Sequence, residues 1–529
     1  MQARSFSLKG QVRSLISFLA LSTLFAIGYS QSPLYTSNQN QYFLHGLAAG
    51  GYGNLAADWL TNTLDPTPVF SKLVELSYNL LHQGGAFYVY YALLMGIYLY
   101  SLIGIANCLL NLGTPSAKSL AFTALLITVH SAGLRFALSR WLGTNWTYVL
   151  EDGVADQRML GPVFQPSTFG ALLALSVYLF LLRRPFWALL AAAVAVYFHP
   201  TYLLSAAMLT LSYALVAWLE ERSLKRPIQY GLFALLLVSP VVYTVYSSFG
   251  GTSAEASARA QEILVSYRIP HHALVSWWLD ATVMVKLALV ASATALAFGW
   301  GRSRGDPETG QAARRMGWVL LASALMAVTL TLVQVASHNN TLALLFPWRI
   351  SILLVPVSTT LLLAFLVDRG WRWLTVRAFH IEKPVSLLST IAIFLAVLVG
   401  GIRFTLDLQR KAAAPERGLE AFAYAHKSQS DLYLTPVKMQ DFRLATGAPA
   451  FVDFKSIPYQ DTDVLEWYRR VRLADRFYAS EDCSLLERLV REEGITHIVM
   501  EAGPVQLNCS GIEAIYQDGQ YILWETKSP

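Results

Sequence analysis

Residues 30–81 read SQSPLYTSNQNQYFLHGLAAGGYGNLAADWLTNTLDPTPVFSKLVELSYNLL and follow directly on the first apolar run of the chain. The stretch is too polar to cross a bilayer, and its aromatic residues distinguish it from a disordered linker. A long loop in a compact protein is usually either functional or disordered. We therefore expect an ordered loop on the outer face of a membrane, built of short helices that lie along the interface.

The composition predicts a polytopic membrane protein. Of the 529 residues 54% are hydrophobic and only 14% are charged, which is more apolar surface than a soluble core can bury. The net charge of +6 does not indicate a nucleic-acid partner, because the basic residues lie in short loops between apolar runs rather than in one patch.

Eleven apolar runs form the membrane part, and the fold class we predict is an all-α domain of about eleven transmembrane helices. They lie at 14–30, 87–109, 120–138, 168–182, 186–198, 201–219, 228–247, 281–300, 316–337, 350–367 and 385–403. Lys and Arg are concentrated in the loops on one side of this alternation, which is therefore predicted to be cytoplasmic. The run at 186–198 spans only about 20 Å as a helix, so His199 and Pro200 should lie at or just below the outer surface.

The N-terminus is predicted to be cytoplasmic, because Arg4, Lys9 and Arg13 precede the first run. A cleaved signal peptide is the alternative, since Ala26-Ile27-Gly28 resembles a small-residue cleavage site. The length of the run and the runs that follow favour an uncleaved helix in the inner or plasma membrane.

The chain changes character near residue 410, where charges become dense. We predict a membrane domain over 1–409, with its large outer loop at 31–81, and a small extracytoplasmic α/β domain over 410–529. Strands are predicted at 431–435, 450–454 and 496–500, helices at 463–473 and 484–493, and a hairpin that turns at Asp518-Gly519. Cys483 and Cys509 either form a disulfide or remain as two buried thiols.

Polar and aromatic residues that could carry chemistry are concentrated in the outer loops. We find no Walker loop, no HExxH, no GxSxG, no dinucleotide fingerprint and no Cys/His metal spacing. The candidates are Asn38, Asn40, His45, Asp58 and Asp65 in the first outer loop, Asp152, Asp156 and Arg158 in the second, His199 and Tyr202 in the third, Arg268, His271 and His272 in the fourth, and Arg349 in the fifth. Each also has a plain structural explanation, since loop carboxylates are usually solvated and a histidine before proline can cap a broken helix.

The layout resembles the GT-C class of membrane glycosyltransferases. The matching phrases are NQNQYFLHGLAAGGYGNLAADW in the first outer loop, EDGVADQR in the second, FHPTY, and the outward-facing RIPHH and FPWR. The resemblance implies a polytopic enzyme that transfers a sugar from a polyprenyl-phosphate donor to an extracytoplasmic acceptor, such as a cell-envelope glycan, lipid or protein. Phrases such as DWLTNTLDPTPVF and RIPHH also resemble bacterial multi-pass proteins of unspecified activity.

The chain departs from the class at one position. GT-C enzymes commonly carry an acid just after the first span, and this sequence has Ser37-Asn38-Gln39-Asn40 there. Neutral amides cannot accept a proton at physiological pH, so the base is predicted to be Asp58 or Asp65.

The remaining roles follow from what the transfer needs. Arg268, His271 and Arg349 are expected to stabilise the leaving phosphate, while His199 and Asp152 are expected to position the sugar or a divalent cation. No metal-ligand set is predicted, and the acceptor and the sugar are open.

Two other classes of protein fit the sequence. A transporter or flippase for a lipid-linked or polar substrate would place polar residues at mid-membrane depth. The apolar runs carry few ionisable residues besides His130 and Lys286, and a lysine can snorkel to the interface. A non-catalytic GT-C-like scaffold in the assembly of a surface polymer would explain the missing acid.

Overall fold

The computed structural model describes residues 8–82, 84–110, 112–303, 306–377, 380–503 and 507–527. The chain divides into two compact units. The membrane unit comprises Met1–Gln31, Phe87–Val242 and Ile269–Thr405, and the second unit comprises Ser32–Ala86, Tyr243–Arg268 and Leu406–Pro529. The loop at 31–81, which we assigned to the membrane domain, thus clusters with the C-terminal segment. Arg4 lies outside the described residues.

The membrane unit is all-α, and each of the eleven apolar runs forms a helix or a bent pair of helices. Its α-helices are Leu8–Tyr29, Gly85–Leu110, Ser116–Val129, Ala132–Leu142, Ala171–Leu181, Pro185–Phe198, Leu203–Glu221, Lys225–Phe249, Pro270–Ala273, Val275–Trp278, Ala281–Ser303, Pro307–Ser337, Asn340–Leu344, Ser351–Arg377 and Glu382–Ala412. Short 3-10 turns lie at Thr144–Trp146, Pro166–Gly170, Pro200–Tyr202 and Pro347–Ile350.

Fewer helices than eleven are long enough to cross a bilayer alone. Among the described residues seven qualify by length and composition, or eight if the pair Ser116–Val129 and Ala132–Leu142, bent by 52°, is one span. Ser14–Tyr29, Pro166–Leu181 and Pro185–Phe198 are apolar but shorter. The predicted fold class, an all-α membrane domain, is confirmed. The predicted number of about eleven full spans is larger than the seven or eight that the helix lengths support among the described residues.

Small residues allow the first and last helices of the membrane unit to pack closely. A Cβ atom added at Gly400 would lie 1.9 Å from the carbonyl oxygen of Ile27, and one at Gly28 would contact Ala396. Membrane helices associate through such small-residue contacts, because lipid tails remove the hydrophobic drive that operates in water.

The second unit combines a small sheet with helices, as predicted for the tail of the chain. Its helices are Gln39–Tyr42, Leu44–Ala49, Pro68–Leu81, Ala254–Ile263, Arg417–His426, Phe442–Thr446, Asp461–Ser480 and Cys483–Glu493, with 3-10 turns at Leu55–Ala57 and Leu60–Asn62 and a π-turn at Leu264–Arg268. Its strands are Tyr433–Leu434 (β1), His497–Glu501 (β2), Ile512–Gln517 (β3) and Tyr521–Thr526 (β4).

The sheet has the strand order β1-β2-β4-β3, with β1 parallel to β2 and the other pairs antiparallel. The predicted hairpin is present as β3 and β4, and Oδ1 of Asp518 accepts hydrogen bonds from the backbone N–H groups of Gln520 and Tyr521 in its turn. Residues 450–454 do not form the predicted strand. Only Ala450 makes a β-bridge, to Tyr433. The segment is held instead by buried charged side chains, since Asp58 accepts from the N–H of Ala450 and Arg443 binds its carbonyl oxygen and the carboxylate of Asp453.

Cys483 and Cys509 form a disulfide, which settles an alternative that the sequence left open. The bond ties the start of helix Cys483–Glu493 to the segment before β3 and closes a loop with a sequence separation of 26 residues. Cross-linking restricts the unfolded chain more than the folded one.

We predict that Cys509→Ser destabilises the second unit by about 3 kcal/mol, the chain-entropy cost of opening a loop of this length. Thermal unfolding of the purified full chain in detergent measures the loss. Cys108→Ser, which removes the free thiol of the membrane unit, is the matched control and should leave the transition of the second unit unchanged. Equal unfolding midpoints for Cys509→Ser and wild type would contradict the prediction.

Candidate functional site

The segment from Glu151 to Arg158 is the centre of a buried polar cluster in the membrane unit. It follows helix Ala132–Leu142 and turns tightly, with Ala155 and Asp156 at φ values of 58° and 51°. Its backbone is held by side chains from distant helices, since Oγ of Ser351 accepts from the N–H of Val154 at 2.7 Å. The loop is therefore fixed in place rather than solvated.

Asp152 is 4% exposed and pairs with Arg158, whose Nε lies 2.7 Å from Oδ2. The guanidinium of Arg158 also lies over the ring of Tyr148, 4.1 Å from its centroid. Burial raises the pKa of Asp152 to about 6, against the opposing attraction of Arg158 and Lys286. This carboxylate can therefore exchange a proton close to neutral pH.

Glu151 is buried beside Arg135, whose Nη1 lies 3.5 Å from Oε1 of Glu151. The other oxygen, Oε2, has no hydrogen-bond partner among the described residues and lies 3.9 Å from Nε2 of His130. Burial raises the pKa of Glu151 to about 8, although Arg135 acts in the opposite direction.

Arg349 joins the cluster from the 3-10 turn Pro347–Ile350. Its Nη1 donates to Oε1 of Gln157, and its Nη2 donates to Nε2 of His199, which must therefore be unprotonated. The guanidinium also lies 5.4 Å from the ring centroid of Tyr202. Gln157 and His199 are both neutral acceptors, and Nε of Arg349 is buried without a hydrogen-bond partner in the part of the chain that the structure describes.

Lys286 reaches the cluster from the helix Ala281–Ser303. It is 4% exposed, and its Nζ donates to the carbonyl oxygen of Gly153 at 2.8 Å. Lys286 also begins an apolar groove of about 400 Å³ between this helix, Pro307–Ser337 and Ser351–Arg377. The groove continues along the same helix to Phe298, which is about 18 Å of helix.

The structure brings several of the predicted residues of the membrane unit together. Asp152, Arg158, His199, Tyr202 and Arg349 all contact one another or the loop. His272 joins them, since its Nδ1 donates to the carbonyl oxygen of Ala155 at 2.7 Å, and His271 lies against His272. Asp156 is exposed on the same loop.

Asp58 lies in the second unit and is fully buried. Nε of Arg443 pairs with its Oδ2 at 2.6 Å, and the backbone N–H groups of Leu60 and Ala450 donate to its two oxygens. Arg443 also pairs with the buried Asp453. Because these donors occupy both oxygens of Asp58, the geometry favours a structural role over the predicted role of base.

The other predicted residues of the second unit form local contacts. Oδ1 of Asp65 accepts from the N–H of Thr67 at 2.8 Å, and Nε2 of His45 lies 3.2 Å from the carbonyl oxygen of Thr63. Both line a small cleft with Tyr42. Asp65 is partly exposed there and keeps its predicted role as a proposal.

Of three further predicted binding residues in this unit, Asn40 and Arg268 make side-chain hydrogen bonds within it, whereas the side chain of Asn38 does not cap the helix that it precedes. Asn40 donates to Asp441, Asn38 precedes the helix Gln39–Tyr42, and Nη2 of Arg268 donates to the carbonyl oxygen of Lys455 at 2.7 Å. Nε of Arg268 is buried without a hydrogen-bond partner among the described residues, and its predicted role at the phosphate stays a prediction.

A divalent cation is one ligand that His199 and Asp152 were predicted to position. The side chains of the loop do not suit such an ion. Among the described residues no group of three or more His, Cys, Asp or Glu side chains is placed to hold a metal ion. Asp152 is paired with Arg158 and Asp156 points to the surface, so the loop offers no ligand shell.

Four residues of the cluster were not among the predicted site residues: Arg135, Glu151, Gln157 and Lys286. Lys286 carried the clearest signal, because an ionisable residue inside an apolar run is costly and indicates function. Glu151 precedes Asp152 in the same acidic segment, so its position next to a predicted residue was a weaker signal. Arg135 and Gln157 carry no distinct signal of their own.

Comparison with known proteins gives three findings. Residues 415–474, which include Arg443 and Asp453, match a family described as a domain of unknown function, DUF6798. No match was found among curated proteins.

Solved structures of ArnT from Cupriavidus metallidurans are similar to the chain. The structure bound to undecaprenyl phosphate is 13% identical, with a TM-score of 0.43 over 98% of each chain. The apo structure is 11% identical, with a TM-score of 0.42 over 97% of this chain and 98% of that one. ArnT is a GT-C glycosyltransferase that depends on a polyprenyl phosphate, the class that the sequence resembles. At this identity and TM-score the likeness does not bear on the reaction of this chain.

Glu151 predicts a pH dependence of stability. Its pKa is raised from 4.5 to about 8 in the folded protein, so the folded state holds the proton more tightly than the unfolded state. The stabilisation is complete below about pH 4.5 and is lost as the pH rises through about 8. We expect the unfolding midpoint of the full chain in detergent to fall between pH 6 and pH 8.

The variant Glu151→Gln should weaken this dependence and raise the midpoint at pH 8. Glu308→Gln, at an exposed acid of the same unit, is the control and should keep the wild-type profile. An unchanged pH profile in Glu151→Gln would rule out this carboxyl as its source.

Proposed function

We propose that the protein is a membrane glycosyltransferase that binds a polyprenyl-phosphate donor in the membrane unit and transfers its sugar to an extracytoplasmic acceptor. The distribution of Lys and Arg in the sequence supports an extracytoplasmic position for the loop cluster and a cytoplasmic N-terminus. The acceptor and the sugar are not specified by any contact.

The observation that carries the proposal is that the side chain of Arg349 donates to neutral acceptors and keeps one buried N–H group without an acceptor among the described residues. Arg349 is partly buried, and a cation withdrawn from water is costly unless it is paired, yet its side chain donates to neutral acceptors on Gln157 and His199. Its Nε is buried and lacks a hydrogen-bond partner among the described residues. A phosphate oxygen would supply the missing charge and the missing acceptor, because guanidinium and phosphate match in geometry.

The balance of charge in the cluster also favours an anionic ligand. Four cationic side chains, Arg135, Arg158, Lys286 and Arg349, accompany two buried acids, Asp152 and Glu151, and Glu151 is largely protonated at neutral pH because burial raises its pKa to about 8. An anion that entered beside Arg349 and Lys286 would reduce this excess. The same cations would stabilise charge that develops on a phosphate as its bond to the sugar breaks.

The groove that begins at Lys286 supports a lipid rather than a soluble phosphate. Its walls are nearly all apolar, and it lies between membrane helices. A phosphate held near Lys286 could continue as an isoprenoid chain along this surface. Trp348 lines the groove, and its Nε1 is a buried donor with no partner in the described part of the chain.

Asp152 is the base that the geometry of the membrane unit supports best. In the proposed step its carboxylate takes the proton from the acceptor hydroxyl, the acceptor oxygen bonds to the anomeric carbon, and the bond from that carbon to the phosphate oxygen breaks. The bonding electrons leave with the polyprenyl phosphate, whose charge Arg349 and Lys286 stabilise. A base with a pKa of about 6 is ionised at neutral pH and still able to accept a proton.

A non-catalytic lipid-binding scaffold is the second candidate. The burial of Asp58 against Arg443 favours it, because the first outer loop then offers only Asp65 as a base. The scaffold would bind the polyprenyl phosphate through the same cluster and would show no transfer with any lipid-linked sugar.

We expect undecaprenyl phosphate to bind the full chain in neutral detergent, as followed by native mass spectrometry. Arg349→Gln and Lys286→Met should each weaken binding at least tenfold, because each removes a cation from the proposed phosphate site. Arg140→Gln, at an exposed arginine of the same unit, should bind as wild type does. Wild-type affinity in both Arg349→Gln and Lys286→Met would remove the phosphate site from the cluster.

We expect Asp152→Asn to lower transfer by 10²-fold or more with a panel of polyprenyl-phosphate sugars, the usual effect of losing a general base, while lipid binding is retained. The rate for wild type should fall as the pH drops below about 6, since protonated Asp152 cannot act as a base. Asp156→Asn is the control on the same loop, and asparagine tolerates its left-handed backbone. Full transfer by Asp152→Asn would exclude this residue as the base, and binding without transfer in wild type would favour the scaffold.

A further inference from the structure

A second cationic pocket lies in the membrane unit, at the other ends of the helices that hold His199. It has a volume of about 330 Å³ and is enclosed by the ends of five helices. Pro185 lines this pocket, whereas His199 follows the last residue of the same helix Pro185–Phe198, so about 20 Å of helix separates it from the cluster described above.

The pocket has an arginine rim. Arg183, Arg226 and Arg315 surround it, and the buried side chains of Phe180, Val216 and Tyr230 lie beneath them. The surface that lines the pocket is mostly polar, which suits an anionic headgroup whose apolar remainder lies outside the pocket.

Two of the arginines are already neutralised by glutamates. Nε and Nη2 of Arg315 pair with the two oxygens of Glu220 at 2.8 and 2.5 Å, and Nε of Arg226 lies 3.0 Å from Oε1 of Glu221. These pairs fix the rim and leave most of its charge balanced.

Arg183 supplies the excess charge. Its Nη2 donates to the neutral Oε1 of Gln311 rather than to a carboxylate, so three arginines and two glutamates leave the pocket with one positive charge. Arg183 also has a left-handed backbone, with φ of 61°, in the short link between helices Ala171–Leu181 and Pro185–Phe198. Glycine is the usual residue in this conformation, so an arginine held there is unfavourable without a compensating contact.

The surroundings of the pocket indicate that its ligand comes from the bilayer. Trp187 and Trp218, on two of the helices that form it, are exposed, as tryptophans are at the membrane interface. The helix Lys225–Phe249 forms one wall of the pocket, and only 6% of its apolar stretch is buried inside the protein. The outer side of this wall therefore faces lipid.

We propose that this pocket binds the phosphate headgroup of an anionic glycerophospholipid, with Arg183 as the residue that recognises the charge. Basic pockets between membrane helices bind such headgroups through charge-assisted hydrogen bonds. The site is distinct from the proposed donor site and does not depend on glycosyl transfer.

The test measures lipid binding to the full chain in neutral detergent by native mass spectrometry. Wild type should bind phosphatidylglycerol about tenfold more tightly than phosphatidylcholine of the same chain length. Arg183→Gln should abolish this preference, and Arg183→Lys should retain part of it, because the charge remains while the planar fork is lost. Arg377→Gln, at an exposed arginine outside the pocket, is the matched control and should bind as wild type does.

A preference for phosphatidylglycerol that persists in Arg183→Gln would overturn the proposal. Inorganic phosphate provides the second arm of the test. If phosphate at millimolar concentration displaces the lipid from wild type but not from Arg183→Gln, the site recognises the ion alone and the lipid assignment is wrong. If phosphate leaves the bound lipid in place, the apolar part of the ligand contributes as proposed.

Discussion

The charge of Arg349 is the constraint on which the site in the membrane unit depends. Its guanidinium lies in a largely buried cluster and is held by two neutral acceptors, Gln157 from the loop after helix Ala132–Leu142 and His199 from the end of helix Pro185–Phe198. Removing such a group from water is unfavourable unless a counter-charge compensates. The fold therefore leaves this cation able to pair with an anion, and the loop from Glu151 to Arg158 contacts it through Gln157.

The network around Arg443 and the cluster around Arg349 use buried charge in different ways. In the second unit Arg443 is saturated, since Asp58 and Asp453 both pair with it and the carbonyl oxygen of Ala450 accepts from its Nη2. Such a closed network specifies a fold and leaves nothing for a ligand. In the membrane unit Arg349 and Glu151 each keep a buried polar atom without a partner among the described residues. That difference, rather than the residue types, separates the network of Arg443 from the cluster around Arg349.

The helices could be predicted because apolar runs between charged loops report directly on the membrane. Individual site residues were harder to predict, and the reason is tertiary. His199 and Arg349 were both candidates, yet their contact depends on how loops 150 residues apart fold together. Asp58 resembled a catalytic acid because its partner, Arg443, lies 385 residues further along the chain. Lys286 was interpreted as a snorkelling lysine, whereas its Nζ turns inward to the carbonyl oxygen of Gly153.

A cryo-electron microscopy map of the protein with undecaprenyl phosphate tests the central claim most directly. The account predicts phosphate density within hydrogen-bonding distance of Arg349 and Lys286, with the isoprenoid chain in the groove that runs from Lys286 to Phe298. Phosphate density elsewhere on the protein, with the cluster around Arg349 occupied only by water, would contradict it.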